Sequence, residues 1–270
     1  MTSTADIFGT GKALIGMVHV GALPGTPRHS SSLRKITERA VREAQLLIAH
    51  GFDGVMIENM HDLPYLKREV GPEIVAGMTL VGQAVRDAID TPMGVQVLAG
   101  ANRAAVAVAH TIGAQFIRAE GFVYSAIADE GFFDEADAGP LLRYRRAIGA
   151  EDVYVLAGVK KTHSSHALTA DVALAETVRT AEFCGADGVI VTGVATGRAA
   201  NLEDVKEAAA AAKTPVVIGS GARPETVVEL FSYADAIVVG ASLKERGDWS
   251  MPIDEERVKA MVSAADRARL

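Results

Sequence analysis

Short apolar runs rich in Val and Ile recur along the chain. Between them lie longer stretches in which apolar residues return every three or four positions. The short runs read as buried strands at residues 14–19, 54–58, 93–98, 116–120, 153–160, 188–192, 216–218 and 236–239. The intervening patterns predict amphipathic helices at 33–49, 73–89, 103–111, 140–148, 171–184 and 202–212, with a closing helix at 254–267. Alternation of this kind implies a parallel sheet covered by helices. Eight strands within 270 residues predict a single (β/α)8 TIM barrel over 1–270, with no composition shift to mark a second domain.

An internal echo supports the count. Gly51-Phe-Asp-Gly-Val, Gly113-Ala-Gln-Phe-Ile, Gly185-Ala-Asp-Gly-Val and Tyr233-Ala-Asp-Ala-Ile each fall where a helix should end and a strand begin. Glycine stops a helix by taking the left-handed conformation, and Asp suits the turn back into the sheet. Four repeats in step with the strands favour a closed barrel over an open sheet.

Composition narrows the function classes. The formal net charge is −7, which gives no overall basic footprint for nucleic acid. Cys184 is the one cysteine, so neither an intramolecular disulfide nor a cysteine-cluster metal site is available. The N-terminal residues carry no basic flank or apolar signal core, and no apolar run is long enough for a transmembrane segment. These features predict a cytoplasmic protein. Between residues 121 and 139 lies a segment rich in aromatic and acidic residues, read as a lid or an interface loop. Its aromatics would want cover, so a homo-oligomer is expected.

The stretch from Pro215 to Glu225 breaks a strand at Gly219-Ser220-Gly221, and Arg223-Pro224-Glu225 reads as the opening of a helix. Glycines let the backbone approach a ligand, and a helix start offers N–H groups to an anion. A weaker copy follows with Gly240 and Ser242. Gly219, Ser220, Gly221, Gly240 and Ser242 are therefore expected to bind a phosphate, at the end of the seventh and eighth strands. The expected partner is a phosphorylated small molecule.

Polar residues end several other strands: His19, Glu58 with Asn59, Gln96, Arg118 with Glu120, Lys160, and Thr192 with Gly193. Each needs a ligand or an internal partner. His19, Glu58, Glu120 and Lys160 are the catalytic candidates; Asn59, Gln96, Arg118, Thr192 and Gly193 are expected to touch substrate. Lys160 suits a Schiff base or acid–base role, or else pairs with Glu120, whereas strand alternation turns Lys161 to the periphery. Arg198 is a further candidate for ligand oxygens, or a solvated loop residue. His19, Glu58 and Glu120 offer donors to a divalent cation, yet no short-spaced ligand motif accompanies them. No metal is assigned and no cofactor is required.

Gly16-Met-Val-His-Val-Gly-Ala-Leu-Pro-Gly-Thr-Pro27, Glu58-Asn-Met-His-Asp-Leu-Pro-Tyr65, Phe116-Ile-Arg118, Val191-Thr-Gly-Val-Ala-Thr-Gly197 and Gly219-Ser-Gly221 together resemble the BtpA family. The resemblance implies a TIM barrel of the ribulose-phosphate-binding type. Its matching positions are His19, Glu58, Asn59, Asp62, Lys160 and Ser220, which adds Asp62 to the substrate-binding candidates. The third-strand loop, 97–102, departs from the Leu-Arg-Asn-type pattern of relatives. The expected function is an aldolase, isomerase or epimerase acting on a phosphorylated sugar or nucleoside-like compound. The alternatives are a non-catalytic phosphate-binding barrel, or the photosystem I assembly factor that the family is named for.

Overall fold

A computed structural model describes residues 3–193, 197 and 199–269. The barrel strands are β1 (Ala13–His19), β2 (Gly54–Glu58), β3 (Met93–Gln96), β4 (Phe116–Ala119), β5 (Tyr154–Gly158), β6 (Gly188–Val191), β7 (Val216–Ile218) and β8 (Ala236–Val239). Each pairs in parallel with its neighbour in sequence, and β8 pairs with β1 to close the barrel. The helices are α1 (Thr4–Phe8), α2 (Leu33–Ala49), α3 (Pro72–Ala88), α4 (Asn102–Ile112), α5 (Ala138–Ala147), α6 (Leu174–Phe183), α7 (Leu202–Ala211), α8 (Val227–Leu230) and α9 (Glu255–Arg269). The chain is thus an α/β TIM barrel, as its hydrophobic pattern predicts.

Strand alternation divides the apolar residues into two cores. Inward positions, among them Ile15, Met17, Met56, Phe116, Leu156, Ile190, Val217 and Val238, fill the barrel's interior. Helix α1, which the sequence pattern does not reveal, seals the barrel floor with Ile7 and Phe8; Phe8 meets Phe116 edge-on at 5.2 Å. Outward positions such as Val55, Val95, Val155 and Val189 pack against the helices.

The echo has a specific structural purpose. Its Asp or Gln is the residue just before an even-numbered strand, and its side chain accepts the N–H of a residue that starts the preceding strand. Asp53 Oδ2 takes Leu14 N–H at 2.7 Å, while Gln115 Oε1 takes Met93, Asp187 Oδ2 takes Val155 and Asp235 Oδ2 takes Val216, each at 2.8 Å. In return, the backbone N–H of Asp53, Gln115, Asp187 and Asp235 donates to the carbonyl of the same partner. Four two-point clamps therefore tie the strands in pairs at the barrel floor.

Three departures from the predicted elements bear on the site. Residues 121–139 form no plain loop: Ala126–Ala128 and Gly131–Phe133 pair with each other, and the first also pairs with Ser164–Ser165 of the β5–α6 connection. Strand β5 stops at Gly158 rather than continuing to Lys160. No helix opens at Arg223-Pro224-Glu225, since these residues form a turn and α8 begins only at Val227. Arg223 N–H is taken by the Thr226 hydroxyl, and Arg223 carbonyl by Thr226 and Val227 N–H, which shapes a capped turn.

Replacing one clamp side chain leaves a strand-initiating N–H without its acceptor, at a cost of about 1–3 kcal/mol. Asp235→Ala is expected to lose that much stability in urea unfolding. Asp235→Asn keeps the acceptor oxygen and should lose less.

Candidate active site

The polar residues that continue the barrel's inward rows line a cavity of about 390 Å3 at the C-terminal ends of the strands. Register places His19 opposite Glu58, and Glu58 opposite Gln96, so three polar side chains stand side by side on β1, β2 and β3. Arg118 of β4, Glu120 just beyond it, and Gly219, Ser220, Gly221 and Gly240 complete much of the wall.

Glu58 is buried, and burial raises its carboxyl pKa to about 7; the Arg118 cation opposes the rise and Glu120 adds to it. His19 moves the other way. Burial, assisted by the Lys244 cation, lowers its pKa to about 3. The imidazole is therefore neutral near pH 7, and its Nδ1 lies 3.1 Å from the Trp249 carbonyl oxygen. A carbonyl only accepts, so Nδ1 carries the hydrogen and Nε2 keeps a free lone pair. Nε2 is 3.9 Å from Glu58 Oε2, too far for a hydrogen bond, and a neutral imidazole forms no ion pair there. A side chain on Gly240 would crowd Nε2, because a Cβ would stand 3.2 Å away.

Arg118 lies across the mouth with Nη1 3.4 Å from the Gly219 carbonyl oxygen. A Cβ at Gly219 would clash with Ile190 at 2.6 Å and Thr192 at 2.7 Å, so only glycine fits beside Arg118 without a shift of these neighbours. Gln96 is buried, and neither its amide oxygen nor its nitrogen finds a hydrogen-bond partner among the described residues; Arg118 Nε is in the same position. Unpaired polar groups at this depth cost about 1–3 kcal/mol each, which a polar ligand would offset.

The two lysines exchange their expected places. Once β5 ends at Gly158, alternation no longer governs the chain. Lys160 turns out to Asp204, 3.1 Å away, with its side chain 39% exposed. Lys161 turns in and is 7% exposed, with Nζ 3.1 Å from Glu130 and 3.6 Å from Glu120. Glu130 comes from the small antiparallel sheet, and burial raises its pKa while Lys161 pulls it down. Glu120 also accepts Gly100 N–H at 2.8 Å.

Several other candidates brace the wall, and of these only Ser220 also lines the cavity. Asn59 donates to Asp62 at 2.9 Å and accepts Leu98 N–H at 2.7 Å, while Asp62 accepts Leu23 N–H at 2.8 Å. These contacts join the loops after β1, β2 and β3. Thr192 Oγ1 accepts from Thr162 and donates to the Lys160 carbonyl. Ser220 Oγ accepts Gly193 N–H at 3.0 Å, and Ser242 Oγ donates to the Ala222 carbonyl at 2.8 Å. Arg198 lies outside the described residues. Sequence reasoning missed Lys161, Glu130, Tyr65 and Trp249, all of which line the cavity. The acidic and aromatic makeup of 121–139 was the one signal that pointed toward Glu130. Among the described residues no three His, Cys, Asp or Glu side chains converge as a metal site would require, His19, Glu58 and Glu120 included.

Fold and mouth define a parallel α/β barrel with a buried ionisable cluster at the C-terminal ends of its strands. The family model described as the BtpA family matches residues 10–267. The chain is 45% identical over 250 residues to an uncharacterised, mitochondrial-labelled protein of Caenorhabditis elegans, covering 91% of this chain and 90% of that one. It is 39% identical over 258 residues to the photosystem I biogenesis protein BtpA of Synechocystis, covering 95% and 89%. The chain belongs to the BtpA family. Among solved structures it is similar to N-(5'-phosphoribosyl)anthranilate isomerase from Pyrococcus furiosus, with TM-score 0.58, 13% identity, and 95% and 99% coverage. It is also similar to N-acetylmannosamine-6-phosphate 2-epimerase from Clostridium perfringens, with TM-score 0.54, 16% identity, and 88% and 89% coverage. At these identities the likeness is one of fold. Among the described residues, no helix is long and apolar enough to cross a membrane.

The two pKa shifts predict opposite effects of pH on stability. Between about 4.5 and 7 the folded protein holds a Glu58 proton that the unfolded chain has released, so this group's contribution falls as pH rises. Between about 3 and 6.5 the unfolded chain takes up a proton that folded His19 refuses, so that contribution rises with pH. Glu58→Gln removes only the falling component. Relative to wild type it should gain on the order of 3 kcal/mol between pH 4.5 and pH values above 7. Urea unfolding at a series of pH values measures the difference, and a constant offset would contradict the raised pKa.

Proposed function

We propose that the chain is an enzyme that moves a proton on a phosphorylated small molecule, as isomerases, epimerases and aldolase-type lyases do. The observation that carries this reading is a pair of adjacent groups shifted in opposite directions: a carboxyl titrating near 7 beside a neutral imidazole. A group titrating near the working pH can both take and return a proton, and Glu58 fills that role. His19 Nε2, bearing its lone pair, accepts a proton from a substrate hydroxyl. Gln96 offers both a donor and an acceptor to orient polar substrate groups, and Arg118 balances negative charge that develops on oxygen.

The phosphate end of the ligand belongs at Gly219, Ser220, Gly221 and Gly240, where glycines leave the backbone within reach. Ser220 and Ser242 support this role by bracing the neighbouring loops, which keeps the backbone in place before a ligand arrives. In this reading the 121–139 segment is a lid, latched by the contact between Glu130 and Lys161. The photosystem I biogenesis role that the Synechocystis relative is named for would rest on a partner surface, and gives no use to a buried Gln96 or a half-ionised Glu58.

Thermal-shift screening with sugar phosphates should find compounds that stabilise the protein, and Ser220→Asp should abolish the effect. With such a compound as substrate, Glu58→Gln should lower turnover about 10²–10⁴-fold and leave ligand affinity within a few-fold. Unchanged turnover would sink the assignment of Glu58. A complete lack of response to phosphorylated compounds would sink the substrate class.

A further inference from the structure

A second cavity, of about 210 Å3, lies beside the mouth under the loop that follows β1. Its polar lining is Arg28, Ser30, Ser31, Lys35, Arg39 and His61, and no carboxylate lines it among the described residues. This is unusual in a chain of net charge −7. Lys35 and Arg39 are one turn apart on α2 and so share a face. Neither Arg28 nor Lys35 has an ion pair among the described residues, and both are exposed. Arg39 does have a carboxylate, since its Nε is 3.0 Å from Glu43 Oε1. Glu43 is shared, however, because its Oε2 is 2.6 Å from Nζ of the fully buried Lys244. One negative charge thus serves two cations, and a positive surplus remains at the cavity.

Two unpartnered nitrogens point the same way. Arg39 Nη2 and His61 Nε2 are buried, and neither has a hydrogen-bond partner among the described residues. Two guanidinium groups, two hydroxyls, an ammonium and an imidazole around one hollow match the tetrahedral oxygens of a phosphate. The volume is below the ~300–1,000 Å3 of sites that enclose a whole small molecule, which suits an anionic head group.

We propose that this cavity binds the phosphate group of a small anionic ligand, at a site separate from the barrel mouth. The partition between the two is aromatic. His61 packs on Trp249 with ring centroids 5.0 Å apart, and Trp249 faces His19 at 6.3 Å on the mouth side. Occupancy on one side of this wall thereby bears on a residue that lines the other.

Equilibrium dialysis with radiolabelled inorganic phosphate, at constant ionic strength, counts the sites directly. The Ser220→Asp variant places a negative charge in the mouth and should retain one saturable site per chain. Adding Arg28→Gln and Lys35→Gln to that variant should weaken the remaining site at least tenfold. Both positions are exposed, so the melting temperature in phosphate-free buffer should not change. If Ser220→Asp does not fold, Arg118→Gln replaces it as the mouth variant. An absence of saturable binding once the mouth is blocked overturns the proposal, as does binding that is indifferent to Arg28 and Lys35. Failure of the mouth reading alone looks different: wild type and Ser220→Asp would then bind one phosphate each.

Discussion

Asp53, Gln115, Asp187 and Asp235 each grip the start of a neighbouring strand through a side-chain acceptor and a backbone donor. The site depends on these clamps. In a sheet the side-chain period is two, so a one-residue slip between strands would turn every inward side chain outward. The grip of Asp53 on Leu14 at the floor sets His19 level with Glu58 at the mouth of the same two strands. The grip of Gln115 on Met93 orders β3 against β4, and with them Gln96 and Arg118. Two of the clamps carry a cation as well: Asp187 pairs with Arg145 at 2.8 Å, and Asp53 with Arg269 of the closing helix. Such partners help to fix the geometry of the acceptor.

With register secured, the interior is apolar up to the level of Met17, Met56 and Phe116, and turns polar one step further along β1 to β4, at His19, Glu58, Gln96 and Arg118. That step lies at the edge of the dry core, where His19 and Glu58 are still buried. Burial acts oppositely on acids and bases: the carboxyl of Glu58 becomes harder to ionise, and the imidazole of His19 harder to protonate. A single cause thus leaves a proton-holding acid beside a proton-free base. Arg118 limits the effect on Glu58, which brings the carboxyl near neutrality instead of locking it as an acid.

The fold was readable because hydrophobic periodicity is a local property, and eight strands with their helices repeat it. The echo was visible too, but its reason was not. Asp at a helix-to-strand turn suggests turn chemistry, whereas the structure uses its side chain to hold a different strand. Residues of the site that extend a strand's inward row, such as His19, Glu58, Gln96 and Arg118, were legible by alternation. That logic failed where a strand ends early, and Lys160 and Lys161 exchanged roles for this reason. It also could not tell a wall brace from a lining group: Asn59 and Asp62 follow a strand as a ligand-binding residue would, yet spend their hydrogen bonds on the adjoining loops. Glu130 and Trp249 reach the mouth from distant segments, by contacts that no spacing rule encodes.

The shared carboxylate of Glu43 links the two halves of this arrangement. Lys244 is fully buried, and burial lowers its pKa while Glu43 opposes the shift. Its positive charge is one cause of the neutral state of His19, and with Arg39 it acts in the same sense on His61. The two histidines thus lie on opposite sides of Trp249 but within the field of the same cations. A negative charge arriving beside Arg39 would weaken that field at both rings, raising the proton affinity of each. His19 has the larger shift and the deeper burial, so most of its neutrality is due to desolvation and would survive. His61 is likewise shifted first by burial, to about 4, but it is less deeply buried and Arg39, Lys244 and Arg28 all add to the shift, so it is the ring nearer to protonation when an anion arrives.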